Sequence, residues 1–189
     1  MKVFLTGASG YIGKHVALEL VSRGHDVVGM ARKASERTEY SKDVEWCYSD
    51  LSNFEQFWPL LESSDAVVHC AMDYSSSGSE NSDLDAAFVS KMRTFNGHFV
   101  YTGNLFSDRQ EGDITLKEAL RPNSTNWRYQ SEVNVLKTSN AASIIRLGFV
   151  YGGVGGYFWE ILSPGTVSEL EIASIPKANW PMVHVRDVA

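Results

Sequence analysis

Eight residues near the start, Thr6-Gly7-Ala8-Ser9-Gly10-Tyr11-Ile12-Gly13, are the densest chemical signal in this sequence. They follow a short apolar run, Lys2 to Leu5, and open a segment, Tyr11 to Val21, in which Ile12, Val16 and Leu20 recur at helical spacing. A strand-to-helix turn made of glycines can lay bare amides against a diphosphate. Gly7 permits the tight turn, Gly10 admits the ligand to the backbone, and Gly13 lets helix and strand approach. The helix start adds N–H donors without intrahelical partners and the positive end of the helix dipole. The glycines stand three apart, as GxxGxxG, and the strand before and helix after give that spacing its meaning. Gly7, Ser9, Gly10, Tyr11, Ile12 and Gly13 are therefore the expected dinucleotide-binding residues.

The second strand candidate, Asp26 to Met30, bears on which dinucleotide is held. A carboxylate about 20 residues past the glycines would accept hydrogen bonds from the ribose hydroxyls of the unphosphorylated cofactor. Here the strand runs into Ala31-Arg32-Lys33. Arg32 can fork two oxygens of a 2′-phosphate and Lys33 adds a point charge, so NADP(H) is preferred over NAD(H). A solvated basic turn is the plainer alternative. Asp50 and Leu51, at the end of a third strand candidate (Val44 to Tyr48), are placed to meet the adenine. Asp50 is equally a candidate N-cap for a helix starting near Ser52, and the two roles are compatible.

These residues must be positioned by alternating elements. Further helical stretches are expected at Phe54 to Leu61, Leu84 to Phe95 and Trp127 to Leu136, and strands at Ala66 to Cys70, His98 to Thr102 and Ser143 to Leu147. Such alternation implies right-handed crossovers and a doubly wound parallel α/β sheet, a Rossmann fold with helices on both faces. Tyr74 to Asp83 is polar and Ser-rich and reads as a loop. From Gly148 the alternation fades. The chain is therefore divided into a dinucleotide-binding domain, 1–150, and a partial, truncated C-terminal substrate region, 151–189.

The chain has 189 residues, 43% of them hydrophobic and 21% charged, the composition of a soluble globular protein. With 17 Lys and Arg against 23 Asp and Glu, the formal charge is −6, and no basic stripe invites nucleic acid. No apolar run approaches the ~20 residues that span a bilayer, and no secretory leader is evident. A cytoplasmic protein without membrane or nucleic-acid partners is expected. Cys47 and Cys70 have no companions at metal spacing, so no metal site is expected, and both read as small buried hydrophobes.

Taken together, the glycine turn, Asp50-Leu51, Val67-Val68-His69-Cys70-Ala71, Phe99-Val100-Tyr101-Thr102, Ile145 to Gly152 and Val183 to Ala189 resemble the extended short-chain dehydrogenase/reductases, the NAD(P)-dependent epimerase/dehydratase-like branch. The resemblance runs over most of the chain. It implies that Cys70, Ala71 and Met72 line the cofactor, that Phe149 and Val150 lie near the nicotinamide, and that more chain would close over the substrate past the "HVxDxA" segment.

One departure concerns chemistry. Members of that branch use Tyr-x-x-x-Lys on one helix face, the Tyr exchanging a proton with substrate and the Lys lowering the Tyr pKa. None of the tyrosines here has Lys four residues on; Arg128 and Glu132 stand where the pair is expected, as in atypical members carrying "WRxxxE". At i and i+4 they could also form a simple surface ion pair. The candidate catalytic residues are thus Thr102, the nearest hydroxyl to the usual serine, with Arg128, Tyr129 and Glu132. Two functions follow. One is an NADP(H)-dependent oxidoreductase or epimerase acting by hydride transfer on a small carbonyl or hydroxyl compound. The other is a non-catalytic NADP(H)-binding sensor or partner-binding module. The aromatic tail (Tyr157, Phe158, Trp159, Trp180) suggests a substrate wall or a homo-oligomer contact.

Overall fold

The computed structural model describes residues 1–32, 42–72, 78–105, 126–137, 141–162 and 181–189. Lys33, Ser-rich positions 74–77 and Trp180, singled out above, lie outside these residues.

Six parallel strands form the central sheet: β1 (Lys2–Thr6), β2 (Asp26–Ala31), β3 (Val44–Tyr48), β4 (Ala66–His69), β5 (His98–Asn104) and β6 (Ala142–Leu147). Their order is β3-β2-β1-β4-β5-β6. Both faces of this sheet are covered, which is why β1 and β2 read as continuous apolar runs rather than alternating ones. Successive residues go to opposite sides. Phe4 and Val28 join one core cluster, Leu5 and Val27 the other.

The helices divide accordingly. α1 (Tyr11–Ser22) buries Val16 and Ala17 on one face. On the other lie α2 (Phe54–Glu62), through Phe57 and Leu61, α3 (Gly78–Lys91), through Phe88 and Val89, and α4 (Trp127–Leu136), through Val135. This is the doubly wound α/β architecture that the alternation implies.

Three expectations need correction. Residues 78–83 open α3 rather than extending the Ser-rich loop, because a fully buried face beginning at Asp85 and Phe88 draws the chain into helix, with Glu80 favourably placed in its first turn. The helix then tightens into a 3-10 turn at Met92–Thr94, short of Phe95. Asp50 does not cap α2: its carboxylate accepts from Ser52 N at 2.8 Å, a local turn, while Asn53 occupies the cap position with its side chain donating to Gln56 rather than accepting from a backbone N–H. The C-terminal part forms a second, two-stranded parallel sheet, β7 (Phe149–Tyr151) with β8 (Met182–His184), accompanied by α5 (Tyr157–Leu162) and α6 (Val185–Val188). α6 packs against α1. Strands of three residues are too short for a period-2 signal, so the sequence showed only fading alternation there.

Candidate functional site

β1 sends its crossover one way and β4 the other, so their C-terminal ends flank the point where the strand order reverses. In open α/β sheets that crevice is where ligands bind. The glycine turn fills its mouth. Gly7 has φ +69, and a Cβ there would stand 2.8 Å from the Ala71 backbone, so the turn from β1 and the end of β4 are in direct backbone contact. Gly10 N donates to Gly7 O at 2.9 Å, and a Cβ on Gly13 would overlap the Gly7 carbonyl. Side chains at 7 or 13 would force this turn apart.

Gly10 itself is the N-cap of α1, with no side-chain cap and no acidic residue in the first turn. The helix N-terminus therefore meets neither a competing side-chain oxygen nor a repelling carboxylate, and the residues present fit a diphosphate. β2 ends in buried Ala31 with Arg32 exposed beyond it. Leu51 packs against the core cluster beneath α2.

Beneath the crevice lies a buried polar chain that joins β1, β4, β5, α3 and α4. Thr6 Oγ1 accepts from Ala71 N at 3.2 Å and lies 2.8 Å from His69 Nδ1. His69 Nε2 lies 3.3 Å from Asp85 Oδ1, and the Tyr101 hydroxyl donates to Asp85 at 3.0 Å. Burial pushes the Asp85 carboxyl up, but bonds and charge from His69, with further bonds from Ser131 and Tyr101, win and hold it below the usual carboxylate range. Burial and the neighbouring Asp85 charge push the Tyr101 phenol well up, and its hydroxyl proton goes to Asp85. Sequence reasoning missed this network. A His in a strand and an Asp on a helix share no spacing that would reveal their contact.

Of the expected cofactor-lining residues, Cys70 and Ala71 adjoin Gly7 directly, and Met72 follows them. Burial pushes the Cys70 thiol up to about 12, partly offset by a bond with Thr102. Thr102 Oγ1 donates to the His69 carbonyl at 2.7 Å, so its proton is committed to holding β4 against β5.

α4 starts at Asn126, whose side chain accepts from Arg128 N at 3.0 Å, and turns Tyr129, Ser131, Glu132 and Val135 inward. Arg128 and Glu132 do not form the simple surface pair that their spacing allows. Glu132 is fully buried and accepts from Arg146 Nε at 2.7 Å and from Asn104 N at 3.3 Å, directly over Gly103. Register explains this: Arg146 lies opposite Gly103 on the neighbouring strand, and the absent side chain of Gly103 leaves room for the carboxylate. Tyr129 is 1% exposed, with the Arg146 guanidinium 5.8 Å from its ring centroid. Arg128 instead reaches the segment that follows β4, its Nη1 3.7 Å from Met72 Sδ.

The second glycine-rich stretch, Gly152 to Gly156, straps the C-terminal part onto α1. The Tyr11 hydroxyl donates to Gly152 O at 2.6 Å, Lys14 Nζ donates to Val154 O, and Gly155 and Gly156 lie on the Tyr11 ring. Tyr11, expected at the cofactor, thus directs its side chain to this strap. Phe149 and Val150 belong to β7, paired with Met182 and Val183 of β8. Among the described residues no cluster of His, Cys, Asp or Glu is placed to hold a metal, and no helix is long and apolar enough to cross a membrane.

Comparison with known proteins agrees with this geometry. Residues 3–95 match the NAD dependent epimerase/dehydratase family. An uncharacterized protein of Saccharomyces cerevisiae is 30% identical over 166 residues, 82% of this chain; the chain spans 56% of that relative's length. The Bordetella bronchiseptica enzyme WbmH, solved in complex with NAD+, is 25% identical, with TM-score 0.74 over 99% of this chain and 69% of its own. A Thermus thermophilus UDP-glucose 4-epimerase in complex with NAD shares the fold at 19% identity, with TM-score 0.72 over 100% of this chain and 72% of its own. With the glycine turn at the reversal point of a six-stranded parallel sheet, these matches place residues 3–95 in the NAD dependent epimerase/dehydratase family.

Proposed function

We propose that the chain holds a nicotinamide dinucleotide across the β1–β4 crevice, NADP(H) in preference to NAD(H), and forms the cofactor-binding part of an oxidoreductase or epimerase acting on a small carbonyl or hydroxyl compound. The observation that carries this reading is the interlock of Gly7, Gly13 and Ala71, a cradle that any side chain would fill. Amides of the turn and of the first turn of α1 bind the diphosphate. Arg32, with Lys33, reads the 2′-phosphate, and Asp50 and Leu51 frame the adenine. Cys70, Ala71 and Met72 form one wall, while Phe149 and Val150 face the nicotinamide end. The bound cofactor supplies or accepts the hydride.

For the substrate the chain offers Arg128, a permanent charge beyond the end of β4 that orients without giving up a proton. Thr102 and Glu132 position rather than react: one clamps β4 to β5, the other anchors α4 to β6 through Arg146. Tyr129 contributes packing in the same place. The mildly acidic, cytoplasmic chain acts on a small molecule and associates with a second copy through exposed Val154, Tyr157 and Trp159. Loss of NADPH absorbance against a panel of carbonyl compounds tests the oxidoreductase reading. No turnover by folded, cofactor-saturated protein favours the second one, a non-catalytic NADP(H)-binding module. That reading draws on the committed proton of Thr102 and the inward turn of Tyr129.

A further inference from the structure

The geometry points to Arg128 as the receptor for an oxyanion, a carboxylate or phosphoryl group carried by the substrate; this rests on the crevice beside it being the dinucleotide site. The guanidinium is half-buried and touched on two sides. Its Cζ lies 5.5 Å from the Trp127 ring centroid, and Nη1 touches Met72 Sδ beyond the end of β4. Its Nε is enclosed and has no hydrogen-bond partner among the described residues. An enclosed donor without an acceptor is costly, and Arg cannot escape by losing its proton.

Among the described residues, the two nearby carboxylates that would answer it are committed elsewhere. Glu132, one turn on, is held by Arg146 and Asn104 N, and Asp85 by His69 and Tyr101. Arg128 also sits in the first turn of α4, the end of a helix where a cation is least welcome and an anion most so. The charge nevertheless reaches the buried centre, since it acts on the Tyr101 phenol. A fork of donors held in an electropositive place, at the lip of the crevice and with no counter-ion on Nε among the described residues, matches the paired oxygens of a carboxylate or phosphoryl group. The substrate class assigned is therefore a small anionic carbonyl or hydroxyl compound, its charged group seated on Arg128.

Oxalate and inorganic phosphate, titrated separately into NADPH-loaded chain while Tm is followed, test this. At least one anion is expected to raise the Tm of the wild type. The response should weaken by about tenfold or more in Arg128→Gln and partly return in Arg128→Lys, which keeps the charge and loses the fork. A response to oxalate alone assigns a carboxylate, and to phosphate alone a phosphoryl group. Without anion, Arg128→Gln should melt no lower than wild type, because the side chain it removes has an unanswered donor. A lowered Tm in that variant, equal anion responses in both proteins, or no response of the wild type to either anion overturns the assignment. Direct titration with NADPH separates the two readings. A chain that takes up NADPH but ignores both anions refutes only the role of Arg128; one that takes up no NADPH refutes the crevice as a dinucleotide site.

Discussion

Glu132 and Arg146 form a buried ion pair, 2.7 Å from Oε2 to Nε, that ties α4 to the outermost described strand of the sheet. Its position matters because Glu132, one turn beyond Arg128 on the same helix, pairs with a neighbouring strand instead.

Breaking this pair should be expensive. Glu132→Gln or Arg146→Met alone leaves a buried charge without its partner, at a cost of about 3 kcal/mol or more, whereas the double variant should lose less than the sum. Urea unfolding of the four proteins measures it. Additive losses would show that the two residues do not share one interaction.

Asp85→Asn removes the charge at the centre of the polar chain under the crevice. Because Asp85 is held below the usual carboxylate range in the folded protein, its stabilisation is full above that range and is lost as pH falls through the lowered value. The wild type should exceed the variant by about 1–3 kcal/mol near neutral pH, with the gap closing below about pH 4. Chemical denaturation at neutral and acidic pH reads this directly, and a gap independent of pH would contradict it.

Gly13→Ala tests the cradle. The added methyl overlaps the Gly7 carbonyl, so the turn must open, and dinucleotide affinity should fall by at least tenfold, ~1.4 kcal/mol. Fluorescence titration would show it. Unchanged affinity would mean that the turn does not contact the diphosphate.

Arg32→Glu tests cofactor choice. NADPH should weaken by roughly a hundredfold, about 3 kcal/mol, while NADH changes little, because only one of them carries the 2′-phosphate. Equal losses for both would remove Arg32 from that role.

The sheet was legible in the sequence because β1 and β2 are apolar runs buried on two faces, and the turn was legible because three glycines are required at fixed steps. What stayed hidden was pairing across distance. The i to i+4 spacing suggested Arg128 with Glu132, but strand register gave Glu132 to Arg146 and sent Arg128 to Met72. Thr6, His69, Asp85 and Tyr101 each looked like ordinary residues of separate elements until the sheet brought them together. The start of α3 was masked by serines that favour turns locally and were overruled by the buried face further along the helix.

Calorimetric titration of the chain with NADPH and then NADH bears most directly on the central claim. Saturable binding near one dinucleotide per chain, tighter for NADPH, is the predicted result. The absence of binding for both at millimolar concentration, in a chain shown to be folded, would contradict it.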